Sequence, residues 1–145
     1  QQVQLKTQGQ LLGYAGLLPF IALALATSID FSLPLKPHYL LITYGAVILS
    51  FMGAIHWGVA ISSKSELGQL QLGLSVLPAL LAWAALMLPL VYGYSLLILS
   101  FISLCIFDKY VNKHDMLPSW YLPMRIILTT GVVLCLIVAA TVAVI

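Results

Sequence analysis

YLLITYGAVILSFMGAIHWGVAI, residues Tyr39–Ile61, runs for twenty-three residues without one Asp, Glu, Lys or Arg. At 1.5 Å per residue a helix of this length reaches about 35 Å, enough to cross a hydrocarbon layer of about 30 Å. The stretch decides the fold class, because four more like it lie around it: Leu11–Ile29, Leu70–Leu88, Val91–Phe107 and Leu122–Ile145. None alternates polar and apolar residues in short repeated segments, as a membrane barrel would require. Over all 145 residues, 62% are hydrophobic and 7% charged. So few charges could not coat a water-facing surface, which excludes a soluble enzyme, a nucleic-acid binder and a disordered chain. The net charge of +2 is too small to point to a polyanion partner. The prediction is an all-α polytopic bundle: one domain over residues 1–145, with five transmembrane helices spanning about 11–29, 39–61, 70–88, 91–107 and 122–145.

The connections are short. Pro34 and Pro37 stop the first helix and restart the chain before the second. Ser62–Gln69 is polar, Pro89–Gly93 reads as the tight turn of an antiparallel hairpin, and Asp108–Tyr121 is the longest connection. Lys6, Lys64, Lys109, Lys113 and Arg125 fall on the side of the N-terminus, and Lys36 alone on the other. Positive residues stay inside, so the N-terminus is predicted in the cytoplasm (or the matrix, in a mitochondrion) and the C-terminus outside. Ala24-Leu25-Ala26 resembles a leader-cleavage site, but a single Lys6 makes a thin basic region, and the first segment is read as a retained span.

Packing signals concentrate in the second span. Ala46, Ser50, Ala54 and Gly58 recur every four residues, a small-residue ridge predicted to admit another helix. A second stripe about 100° around the helix holds Gly45, Leu49, Gly53, His56 and Ala60. Small residues on adjoining faces predict a central helix. Pro19 and Pro78, inside the first and third spans, predict kinks that set shape or border a cavity. Cys105 and Cys135 lie in apolar surroundings at different depths, which predicts structural thiols and no disulfide. Trp83, near the middle of the third span, is expected to point inward, where its indole N–H can find a partner.

Polar residues gather at one end. Tyr14 sits near the inner start of the first span, and His56 about 9 Å inward of the middle of the second. Asp108 ends the fourth, and Trp120, Tyr121 and Arg125 open the fifth. A histidine inside a span faces the bundle interior or a wet cavity. It either bonds a neighbouring tyrosine or carbonyl, or serves a ligand or a proton. Arg125 is expected to pair with Asp108 with Trp120 or Tyr121 on the guanidinium. The competing reading is plain interfacial anchoring. Candidate ligand-binding residues are therefore Tyr14, His56, Trp57, Trp120, Tyr121 and Arg125. No catalytic set, metal-ligand spacing or phosphate loop accompanies them, and a second mid-depth imidazole for a haem is missing. The expectation is a non-enzymatic protein with no cofactor beyond a bound lipid or quinone.

Three runs bear on kinship: Leu12-Gly13-Tyr14-Ala15-Gly16-Leu17-Leu18-Pro19-Phe20, Tyr44 to Gly58, and Leu117-Pro118-Ser119-Trp120-Tyr121-Leu122-Pro123-Met124-Arg125. Together with Leu77–Trp83 they resemble a family of small bacterial membrane proteins of unknown function that includes mitochondrial transmembrane protein sixty-nine. The resemblance covers nearly the whole chain. It implies a multi-pass protein of the bacterial inner (cytoplasmic) membrane, or of the mitochondrial inner membrane, and it brings no reaction with it.

Two functional readings follow. The first is an accessory or assembly subunit packing on a larger membrane complex or on itself. The second is a binder or carrier of a small molecule, quinone or lipid, with a pocket at the inner leaflet around His56 and Arg125. Membrane lipid is a partner in either case, and nucleic acid in neither.

Overall fold

The computed structural model describes residues 2–29, 36–62, 66–112 and 120–144. They form six helices and no strand: α1 (Gln2–Ser28), α2 (Pro37–Ser62), α3 (Glu66–Leu74), α4 (Leu77–Met87), α5 (Leu90–Asn112) and α6 (Tyr121–Val144). Five stretches are long and apolar enough to cross a membrane: Lys6–Ser28, Pro37–Ile61, Gln69–Met87, Leu90–Tyr110 and Tyr121–Val144. Pro34, Lys64 and Lys113, on which part of the loop and charge reading rests, lie outside the described residues.

The third span is α3 and α4 end to end, broken at Ser75–Val76. Pro78 has no N–H for the carbonyl four residues back, so the ladder is interrupted there. Helix α2 fills the break: a Cβ on Gly53 would lie 2.8 Å from the Ser75 carbonyl oxygen and 3.0 Å from the Pro78 ring. Only a residue without a side chain lets the two backbones approach so closely. Pro19, by contrast, lies inside an unbroken α1.

Helix α2 is central and lies against α1, α3, α4 and α5. Its buried face is Leu41, Ile42, Gly45, Ala46, Leu49, Gly53, His56 and Ala60. The close approach therefore follows the second stripe and departs from the expected ridge. Ala46 is buried, but Ser50 is half-buried and turns its hydroxyl to the Ala46 carbonyl at 2.9 Å. Ala54 is exposed, and a Cβ on Gly58 would meet no heavy atom within 4 Å. Helical geometry explains the correction. At about 100° per residue, a strict four-residue repeat drifts by roughly 120° from Ala46 to Gly58, whereas the mixed three-and-four spacing from Gly45 to Ala60 drifts about half as far.

Helix α1 runs parallel to α6 with glycines at the contacts. A Cβ on Gly9 would reach Trp120 at 2.7 Å, one on Gly13 would reach Met124 Sδ at 2.9 Å, and one on Gly131 would reach Leu17 at 3.0 Å. Phe20 closes on Tyr44 edge to face, with centroids 4.9 Å apart, and the Tyr44 hydroxyl donates to the Gly16 carbonyl at 2.7 Å. Phe20, Leu49, Leu97, Phe101 and Leu136 fill the middle of the bundle. Trp83 is corrected outright. It is 63% exposed, because α4 presents Pro78, Ala82 and Ala85 to its neighbours and the adjacent position turns to the lipid side.

Candidate functional site

Four helices deliver one polar side chain each to a single buried point. On α2, His56 continues the row Leu49, Gly53; on α5, Asp108 continues Tyr94, Leu97, Phe101, Leu104; on α6, Arg125 lies on the row Tyr121, Leu128, Val132, Leu136. Each ionisable residue thus occupies the apolar, inward stripe of its own helix, so burying the stripe buries the charge with it. The break at Pro78 sets the fourth, Gln71 of α3, on the row Ser75, Pro78, Ala82, Ala85. His56 and Gln71 are 0% exposed, Asp108 1% and Arg125 2%. Helix α5 runs on to Asn112, past the expected end at Phe107, so Asp108 lies inside a helix whose continuation its partners stabilise.

Asp108 holds the cluster together. Arg125 Nε donates to its Oδ2 at 2.7 Å, and His56 Nε2 donates to its Oδ1. On the far side of the imidazole, Gln71 Nε2 donates to His56 Nδ1 at 2.9 Å. An ionised carboxylate only accepts, so Nε2 carries a hydrogen, while Nδ1 keeps its lone pair for the amide. Phe107 covers the ring, with centroids 4.9 Å apart. Burying charge in low dielectric is tolerable only when it is paired and hydrogen-bonded, which both carboxylate oxygens achieve.

Among the described residues, three buried side-chain polar atoms lack a partner: Gln71 Oε1, Arg125 Nη2 and Thr129 Oγ1. Arg125 and Thr129, one turn apart on α6, both border a cavity of about 490 Å³ among α1, α2 and α6, with Phe101 of α5 behind it. Otherwise its walls are mainly apolar, including Leu12, Phe20, Met52 and Met124, with glycines Gly9, Gly13 and Gly16 along α1. Two lining residues, Leu12 at 76% and Phe51 at 59% exposure, stand at its margin. Of the residues singled out in sequence, Trp120, Tyr121 and Arg125 line the cavity. His56 stands behind it, joined through Asp108. Tyr14 and Trp57 are 39% and 48% exposed and lie outside the lining.

Gln71 and Thr129 went unnoticed in the sequence. Gln71 falls near the start of the third span at the same end as His56, which is a usable signal. Thr129 carries none, since membrane helices tolerate threonine by bonding it to the carbonyl four residues back. Thr130 and Thr141 do this at 2.8 Å, and Thr129 does not. At the opposite end, His38 Nδ1 lies 2.8 Å from the Tyr94 hydroxyl and fastens α2 to α5. Cys105 and Cys135 are free thiols, and among the described residues no group of three or more His, Cys, Asp or Glu could hold a metal.

Five apolar spans around one buried charge cluster define a multi-pass membrane protein. The chain belongs to the family described as "Protein of unknown function (DUF3429)", which matches residues 5–141. It is similar to "Transmembrane protein 69" of Xenopus tropicalis, 33% identical over 129 residues that make up 87% of this chain and 51% of that one. It thus spans about half the length of that curated relative. No solved structure matches.

Proposed function

We propose that this protein binds a small apolar molecule of the quinone or lipid class within the membrane, holding it among α1, α2 and α6. One observation carries the reading: a cavity of about 490 Å³ has almost wholly apolar walls, and Arg125, paired with Asp108, is among the residues that line it. A volume of this size is ordinary for a small-molecule site. It far exceeds the roughly 30 Å³ of one water, and apolar walls offer water too few partners. The family resemblance supports the inner membrane of a bacterium or mitochondrion as its location, and the charge placement orients the chain there, with Lys6 and Lys109 at the cytoplasmic or matrix face.

The reading as an accessory subunit draws on α2 instead, where Ala54 and Trp57 turn outward together and would suit a neighbouring helix. Purification in mild detergent, followed by native mass and extraction of bound apolar molecules, separates the two. Gly16→Leu is the control, because Gly16 borders the cavity and a Cβ there meets only the Tyr44 hydroxyl, at 3.8 Å. Wild type is expected to retain a discrete apolar molecule that Gly16→Leu loses while remaining folded. Identical extracts from the two would sink the binding function, and a stoichiometric larger complex would favour the subunit.

A further inference from the structure

The cavity is graded from one end to the other. Its lining runs on α1 from Gly9 to Phe20 and on α6 from Trp120 to Val132. At 1.5 Å per residue these stretches are about 16–18 Å long, close to the roughly 15 Å of hydrocarbon in one leaflet. Phe20, Phe101 and Val132, all buried, shut the deep end, whereas Gly9 and Trp120 at the other end lie against each other and are half-buried. Polarity follows the same gradient. Arg125 is taken up by Asp108 and the Thr129 hydroxyl is buried within the protein, so the interior offers hydrocarbon contact. The Trp120 and Tyr121 rings flank the shallow end. Beyond them, Lys6 continues the α1 row Gly9, Gly13, Gly16, Phe20, one turn nearer the N-terminus. It is exposed and begins the apolar span Lys6–Ser28, at the level where lipid head groups lie.

A site that is hydrocarbon at depth, aromatic at its mouth and cationic one turn further out fits an amphiphile lying parallel to the helices. We infer that the cavity takes one acyl chain of an anionic lipid from the leaflet at the N-terminal end of α1. The chain threads toward Phe20 and Phe101, and the head group stays outside, beside Lys6. This rests on the binding function proposed above and narrows its ligand to a lipid gripped by its tail. Leu12 on α1 and Phe51 on α2, exposed at the cavity margin, leave a second chain of the same lipid in the bilayer.

The test uses the whole chain in a neutral detergent and counts bound probe by native mass spectrometry across a concentration series. The probes are dimyristoylphosphatidylglycerol, dimyristoylphosphatidylcholine, dioctanoylphosphatidylglycerol and a decyl-substituted benzoquinone. The anionic dimyristoyl lipid is expected to bind about fivefold more tightly than the zwitterionic one, as one lysine beside an anionic lipid predicts. Lys6→Gln should erase that preference, and Lys109→Gln, exposed at the same end but on α5, should keep it. Gly16 lies about 10 Å inward of Gly9. Gly16→Leu should therefore weaken the dimyristoyl lipid at least tenfold and the dioctanoyl lipid far less, because the shorter chains end near that level. Equal binding of the two dimyristoyl lipids, or equal losses in Lys6→Gln and Lys109→Gln, would overturn the placement of the head group. Equal losses for both chain lengths in Gly16→Leu would overturn the threading of the tail. Retention of the benzoquinone alone would overturn the lipid and leave the cavity a binding site. Dimyristoyl lipids and benzoquinone binding wild type no better than Gly16→Leu would remove both.

Discussion

Replacing Asp108 by Asn tests the centre of the cluster, and the structure permits the effect to be separated into parts. The carboxamide keeps one acceptor, which can serve Arg125 Nε at the site where Oδ2 now sits 2.7 Å away. Its NH₂ then faces His56 Nε2. That conflict resolves along the chain of partners: the imidazole moves its hydrogen to Nδ1, and Gln71 rotates its amide so that Oε1, now unbonded, accepts it. Every hydrogen bond can be remade. What cannot be remade is the charge, because Arg125 is 2% exposed and no other anion contacts it in the described cluster. Removing one partner of a buried ion pair costs about 3–5 kcal/mol. Asp108→Asn is expected to lose this much in SDS-driven unfolding from mixed micelles, followed by tryptophan fluorescence. Arg125→Gln should lose a similar amount. The double variant should lose less than the sum by about 2 kcal/mol or more, the mark of a direct pair. A loss below about 1 kcal/mol for Asp108→Asn, or strict additivity in the double variant, would refute the claim that one charge holds the other in place.

Three further outcomes are expected. Gly53→Ala should destabilise by about 1–3 kcal/mol, since its Cβ would press on the Ser75 backbone and the Pro78 ring, while Gly58→Ala on the same helix should gain about 0.5–1 kcal/mol of helix propensity; parallel unfolding curves check both, and equal effects would place the tight contact elsewhere. Gln71→Leu gives up one hydrogen bond to His56 but also removes the unbonded Oε1, so stability should stay within about 1 kcal/mol of wild type in the same unfolding experiment. In single-tryptophan variants, brominated lipid should quench Trp83 more strongly than the half-buried Trp120; equal quenching would mean that the outer face of α4 is covered in the membrane.

The lengths of the spans were legible because the solvent requirement is blunt: a helix must keep apolar residues in contact with lipid for its full crossing, and runs such as Tyr39–Ile61 do so. Depth was legible for the same reason, since counting residues along each span brought His56, Asp108 and Arg125 to one end. Rotation about the helix axis was not. Nearly every residue of α2 and α4 is apolar, so the usual contrast between a wet and a dry face is missing, and the small-residue ridge from Ala46 to Gly58 misled in the way Trp83 did. The inward side of α2 is set instead by its fit to a partner's geometry, Gly53 against the break at Pro78, which a single sequence does not display. Thr129 was illegible for a related reason. Only the direction of its hydroxyl separates it from Thr130, and that direction is fixed by tertiary packing.

The polar cluster and the cavity divide the helices between two tasks. Hydrogen bonds fasten α2, α3, α5 and α6 to one another through His56, Gln71, Asp108 and Arg125. Helix α1 contributes nothing to that network and is the least buried of the five spans. It touches α6 through glycines and α2 through Tyr44 and Phe20, and its inward surface is one wall of the cavity. The wall bearing Arg125 is therefore tied by a charged hydrogen bond, while the wall that faces it rests on van der Waals contact and the Tyr44 hydroxyl. For the binding function proposed above, this division predicts that an apolar body enters past α1, the one span outside the charged network, and leaves that network undisturbed.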